Sequence, residues 1–221
     1  MELQKNIWYI TLLLSIVAGY CDTVTFVTAD ALFSAHVTGN FIVFAYQVFK
    51  GSDVHAWVKL LTFPVFILSV IVGGQITAGS VNRYILLFWE GLLLTLSGIA
   101  AYVYSFLGIF TTWSVYVIAM MVVFAMGLQN AFGKLYAKET LGPTTMMTGN
   151  VTQASLDLGS LLTPGLKNPE VMLSFKKQLV TITGFLTGCF LGAVAGKTWG
   201  LATIIIPGIT MLFCYFLSKK Q

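Results

Sequence analysis

Six stretches, at 7–28, 57–79, 84–106, 113–133, 177–197 and 199–218, are dominated by apolar side chains. A helix rising about 1.5 Å per residue needs about 20 residues to cross a hydrocarbon core of ~30 Å, so each stretch is a candidate transmembrane helix. The rest of the chain agrees with a lipid solvent. Twelve basic and eight acidic residues among 221 cannot coat a water-facing globule, and a mean hydropathy of +0.86 would leave apolar patches larger than soluble monomers carry. The fold class expected is an all-α polytopic membrane protein with no separate catalytic module.

The first apolar stretch could imitate a signal peptide, but Tyr20 stands where a small residue should precede Cys21, and apolar sequence runs on to Val27. An uncleaved helix is expected. The basic residues are scattered between apolar stretches, which speaks for membrane topology and against a nucleic-acid partner. Cys21, Cys189 and Cys214 have no metal-ligand spacing and are expected as buried core residues; neither a metal nor a cofactor is expected.

Two shorter segments, 37–50 and 147–162, would reach only about 21 and 24 Å as helices. Each carries the same tripeptide near its start, Thr38-Gly39-Asn40 and Thr148-Gly149-Asn150. Upstream, the Gly19-to-Asp22 end of one long helix parallels the Gly127-to-Asn130 end of another. Together these features predict an internal twofold repeat, 1–108 and 109–221, each half a long helix, a loop, a short T-G-N helix and two further spans. If the short helices cross the membrane there are eight spans, with eight of the twelve basic residues inside. If they are re-entrant there are six, with nine inside. The basic residues do not choose between parallel and inverted repeats, but both versions place the two termini in the cytoplasm.

The Gly19/Asp22 helix end, Phe26, His36-Val37-Thr38-Gly39-Asn40, Gly127-Leu128-Gln129-Asn130 and Met147-Thr148-Gly149-Asn150 resemble the YoaK-like family of bacterial inner-membrane proteins. The resemblance covers essentially the whole chain. It implies a polytopic inner-membrane protein, usually of six spans, that handles small molecules; it supplies no substrate and no catalytic residue.

Polar groups at membrane depth are the candidates for function, because burying them is costly. Asp22 is a candidate proton- or cation-coupling carboxylate, or else a helix-end residue bonded to loop backbone; Asn130 is its neutral counterpart. Glu90 shares a helix face with Arg83, about 10 Å away, as an interfacial pair or part of a wet path. Asp157 lies on the second T-G-N helix with Thr148, Gln153 and Ser155, a face too polar for lipid. His36 is either a structural histidine or a proton relay. The residues Thr38, Gly39, Asn40, Thr148, Gly149 and Asn150 are expected as helix caps, whose freed N–H groups would form a solute pocket if the two starts meet near the midplane. Small residues four apart, Ser69/Gly73/Thr77 and Gly188/Gly192/Gly196, are expected to pack helices closely within the chain, with a homodimer seam as the alternative.

No hydrolase, P-loop, dinucleotide or ion-filter motif occurs, so an enzyme is not expected. The function expected is secondary transport of a small anionic or zwitterionic solute, proton-coupled through Asp22, His36, Glu90 or Asp157. A passive channel or a membrane scaffold are the alternatives.

Overall fold

The computed structural model describes residues 2–51, 55–163 and 168–218. They form eight α-helices: α1 (Glu2–Thr28), α2 (Gly39–Lys50), α3 (Val58–Ala78), α4 (Ile85–Phe106), α5 (Thr112–Leu135), α6 (Met147–Leu162), α7 (Pro169–Trp199) and α8 (Ile205–Ser218). Lys167, Lys219 and Lys220, used above to weigh topology, lie outside the described residues. Five stretches are long and apolar enough to cross a membrane: Ile7–Thr28, Val58–Ala78, Ile85–Phe106, Thr112–Leu135 and Pro169–Ser218. The chain is a multi-pass membrane protein by this measure. The last stretch is not one rod. Gly200, at φ 64° and ψ −153°, ends α7, and a short 3₁₀ segment, Gly200–Ile204, leads into α8.

Local chemistry sets the helix boundaries. Asn168 starts α7, accepting a hydrogen bond from the Glu170 N–H at 2.9 Å, with Pro169 following where its missing donor costs nothing. That start lies eight residues before the apolar stretch read from the sequence. Thr111 and Ser114 form a reciprocal capping box on α5. Gly51 ends α2 in the left-handed region at φ 64°.

The long helices α1 and α5 are the most enclosed, each with two thirds of its most apolar window buried, whereas α3 has 17% buried. Leu14, Val17, Cys21 and Val24 of α1 meet Ile118, Val122, Met126 and Phe132 of α5 in one central core. The small-residue stripes close the bundle. Gly184, Gly188, Gly192 and Gly196 lie in turn against Leu12, Ile16, Tyr20 and Val24, so α7 runs parallel to α1 with the backbones in contact. Ser69 and Gly73 of α3 meet Gly127 and Ala131, so α3 runs parallel to α5. Gly91 and Gly98 of α4 meet Leu212 and Ile205, so α4 and α8 are antiparallel. Each stripe packs helices within the chain.

Candidate functional site

Beyond Thr28 the chain turns back along α1. The Asp22 Oδ1 atom accepts hydrogen bonds from the Ala35 N–H at 2.7 Å and the His36 N–H at 3.3 Å, and Oδ2 lies 2.7 Å from His36 Nδ1. Asp22 is six residues before the helix end, so the loop descends about 9 Å to reach it. Asn40 fixes the ascending limb. Its Oδ1 accepts from the Phe33 N–H and its Nδ2 donates to the Phe33 carbonyl, both at 2.8 Å, with a further donation to Thr62 Oγ1 at 3.0 Å.

Those bonds revise the cap reading of the tripeptides. Thr38 makes no side-chain cap bond, and the first N–H groups of α2 are already engaged: Gly39 with the His36 carbonyl, Asn40 with Val37 and Phe41 with Thr38. No set of free amides awaits an anion there. In the second half α6 begins at Met147, with Met146 before it contributing no side-chain bond. Asn150 donates to the Pro143 carbonyl at 2.8 Å, the same seven-residue reach that Asn40 makes to Phe33. Proline has no N–H to return, so only one of the two bonds forms.

His36 is therefore not alone. With Asp22 ionised and accepting three donors, Nδ1 is the imidazole donor and Nε2 is the nitrogen left for the surroundings. The Asp22 hydrogen bond holds the His36 pKa above its ordinary value of 6.5, against the opposing pull of burial. Asp22 is enclosed, its side chain 5% exposed, while the His36 ring is 35% exposed. It lines a cavity of about 710 Å³. The walls are Phe26 of α1, Phe33 of the loop, Ile42 and Val43 of α2, and Phe185 and Cys189 of α7; Thr23, Thr38, Gly39 and Asp22 complete it. The ring of Phe185 meets His36 edge-on at 5.5 Å.

The family profile described as "Protein of unknown function (DUF1275)" matches residues 10–217. The chain belongs to this DUF1275 family. No curated protein and no solved structure matches it.

The remaining candidates of this DUF1275 protein fall in different places. The cavity at Thr38 and Gly39 takes no residue from Thr148, Gly149 or Asn150, so the expected pocket between the two tripeptides is not what forms there. The reason is local: each tripeptide is tied to the loop of its own half, and α2 packs on α3 while α6 packs on α7. Thr148 and Gly149 are exposed. Asn130 Oδ1 accepts from Thr145 Oγ1 at 2.7 Å, and the neighbouring Gln129 donates to Thr144 and to the Leu14 carbonyl, both at 2.9 Å. These neutral bonds fix a loop where Asp22 holds an imidazole.

Arg83 does not pair with Glu90. It reaches Glu139 at 2.8 Å, where Tyr84 also donates at 2.9 Å, and burial together with that carboxylate pushes the Tyr84 pKa up to about 12. Glu90 points into the bundle, fully buried, and among the described residues neither of its oxygens has a hydrogen-bond partner. Asp157 is buried against α7 and accepts from Gln153 at 2.8 Å.

Sequence reasoning missed Lys59 of this DUF1275 chain, counted only as a charge. Its side chain is fully buried, 2.5 Å from Asp30 Oδ2, with the Tyr116 ring 5.5 Å away. Gln47 of α2 donates to the same Asp30 oxygen at 3.0 Å. Phe185 was also missed, and Cys189, expected as a buried core residue, is half-buried on the cavity wall; both come from α7, about 150 residues along the chain from His36. Asp30 and Ala31 turn the chain with φ 54° and 56°, a left-handed pair made without glycine.

Proposed function

We propose that the chain is a secondary transporter of a small anionic or zwitterionic solute, coupled to protons through the Asp22–His36 pair. The observation that carries this is the pair itself: a buried carboxylate holding an imidazole that lines a cavity of about 710 Å³ at the end of a membrane-spanning helix. A group that gains and loses a proton there can couple solute occupancy to a pH gradient. Glu90 and Asp157 are further places for a proton, and Glu90, which has no hydrogen-bond partner among the described residues, is the stronger of the two. The solute site belongs to the first half, at Thr38 and Gly39 with His36, and Asn40, Asn130 and Asn150 hold the loops in place.

In this reading the chain has six spans and inverted repeats, 1–108 and 109–221, with α2 and α6 re-entrant. Support comes from helix direction. Leu14 of α1 lies at the level of Gln129, near the end of α5, where Tyr84 at the start of α4 also stacks on Phe132. Tyr20 reaches Thr203, beside Ile205, which packs on Gly98 farther along α4. So α1 runs with α4 and against α5. Together with α3 parallel to α5, α7 parallel to α1 and α8 antiparallel to α4, the helices α1, α3, α4, α5, α7 and α8 alternate in direction along the chain, which favours α2 and α6 as re-entrant. Asp30 at the end of α1 meeting Lys59 at the start of α3 fits the same path. Residue pairs obey the repeat as well: Gly19 lies on the Phe185 carbonyl and Gly127 on the Phe66 carbonyl. The YoaK-like resemblance extends the proposal to a bacterial inner membrane with both termini cytoplasmic.

The test is uptake into proteoliposomes loaded with a pH-sensitive dye, with a panel of small anions and zwitterions and an imposed proton gradient. Gradient-driven uptake lost in Asp22→Asn supports the reading, and uptake unchanged in that variant refutes the coupling. Flux indifferent to the gradient means a passive facilitator. No flux for any solute leaves a scaffold.

A further inference from the structure

The cavity beside His36 has a chemistry narrower than "anionic or zwitterionic", and we propose that its ligand is a small lipophilic carboxylic acid, bound as a carboxylate on the protonated imidazole with its apolar body among Phe26, Phe33 and Phe185. The proposal rests on the transport reading only for the purpose of the site; the binding stands or falls by itself.

Three observations select this class. The walls are mostly aromatic and aliphatic, and among the described residues no lysine or arginine lines them, so a hydrophilic anion stripped of water would meet little in return. The first-turn amides of α2 are spent on the carbonyls of His36, Val37 and Thr38, so the helix start offers no anion cradle. The oxygens of Asp22 are taken by two backbone N–H groups and the imidazole, so the carboxylate is not presented to an ammonium group. What remains for a ligand head is His36 Nε2 with the hydroxyls of Thr23 and Thr38, the latter making no cap bond.

The protons balance without a further reactant. An undissociated acid arriving through an apolar cavity gives its proton to Nε2: the O–H bond breaks, the N–H bond forms, and Asp22 stays a carboxylate opposite the new imidazolium. The site carries one negative charge before and after, so no net charge has to be moved into a medium where charge is costly. Arrival as an anion at an already protonated ring gives the same complex. Among the described residues the titratable groups lining the cavity are Asp22 from α1, His36 from the loop and Cys189 from α7; Thr38 before α2 and Gly39, Ile42 and Val43 within it do not titrate at neutral pH.

The size fits one aromatic ring or a short alkyl chain with room to spare, within the usual range for small-molecule sites of about 300–1,000 Å³. Benzoate is a suitable probe, with benzyl alcohol and benzylamine as neutral and cationic shapes of the same body. Isothermal titration calorimetry on the full chain in nanodiscs, corrected against empty discs, should show benzoate binding about tenfold or more tighter than either. Affinity should fall about tenfold for each pH unit above the His36 pKa, because one proton binds with each anion. In that range, two buffers of unlike ionisation enthalpy should report close to one proton taken up per benzoate.

His36→Gln should abolish both the binding advantage and the proton uptake. Ile42→Trp, at a well-exposed position of α2, should block the cavity without disturbing the fold, and so keeps the test decisive if the histidine variant unfolds. Benzoate binding that ignores pH, that equals benzyl alcohol, or that survives Ile42→Trp overturns the proposal. Benzoate bound as expected with no flux in proteoliposomes would sink transport and leave the site; Asp22-dependent flux of another solute with no benzoate binding would do the reverse.

Discussion

A methyl group added at Gly192 probes the close packing of α7 on α1. An alanine Cβ there would stand 2.6 Å from the Tyr20 carbonyl oxygen and 3.0 Å from the Tyr20 Cα. Both atoms are α1 backbone, so no side-chain rotation relieves the clash and the helices must part by several tenths of an ångström. Overpacking of this kind costs about 1–3 kcal/mol. Gly→Ala inside a helix also gains about 1 kcal/mol of propensity. Gly159 in α6 supplies the control, since its Cβ position meets nothing within 4 Å. The propensity gain is common to both, so Gly192→Ala should be less stable than Gly159→Ala by about 1–3 kcal/mol. Equilibrium unfolding in mixed micelles, followed by circular dichroism, measures the difference. Gly192→Leu should fail more severely, and because Cys189 lies one turn away, benzoate binding should weaken along with stability. A difference below about 0.5 kcal/mol between the two alanine variants would refute close packing of α7 on α1.

Other outcomes follow from the same geometry. The sequence has two histidines, so NMR titration can follow His36 singly: Asp22→Asn should lower its pKa. Because the folded-state pKa of His36 is raised, its contribution to stability is complete below 6.5 and fades as pH rises through the folded value; pH-dependent melting should lose that slope in His36→Gln. Asp30→Ala leaves the fully buried Lys59 ammonium without that carboxylate and should cost about 3 kcal/mol, with part recovered when Lys59→Met is added, as a double-mutant cycle will report. Ala31→Gly relieves a left-handed residue and should raise the unfolding free energy by about 0.5–1 kcal/mol, read by denaturant titration. Single cysteines at Gly51 and Gly108, in a background lacking the three native ones, should be labelled from the side opposite the termini, and one at Ser80 from the same side as the termini; the reverse pattern would mean that α2 spans.

Much of this architecture is written locally, and the local part was readable. The first four apolar stretches became helices within a few residues, whereas α7 starts eight residues early and 199–218 is split by a 3₁₀ segment; the Gly188/Gly192/Gly196 and Ser69/Gly73 stripes became close contacts, because spacing along one helix decides which residues share a face. The tripeptides were found but misassigned: Asn40 and Asn150 reach back seven residues to a loop carbonyl, and no periodicity carries that information. Asp22 and His36 were each picked out as candidates and never joined, since their contact depends on a loop reversing along α1. Glu90 was matched to Arg83 by helical spacing, but the nearby Glu139, from the loop beyond α5, takes the arginine. Phe185 and Cys189 depend on α7 docking against α1, a decision made by the whole bundle.

The pairing of α1 with α7 and of α3 with α5 has a consequence for biosynthesis. The helix α1 is made well before its principal neighbour α7, so the α1 backbone from Leu12 to Val24 must wait in the bilayer until residue 184 and beyond have been inserted. Severing the chain at Gly108 would give two fragments, each lacking the surface on which its own helices rest, and only simultaneous production of both should restore a folded protein.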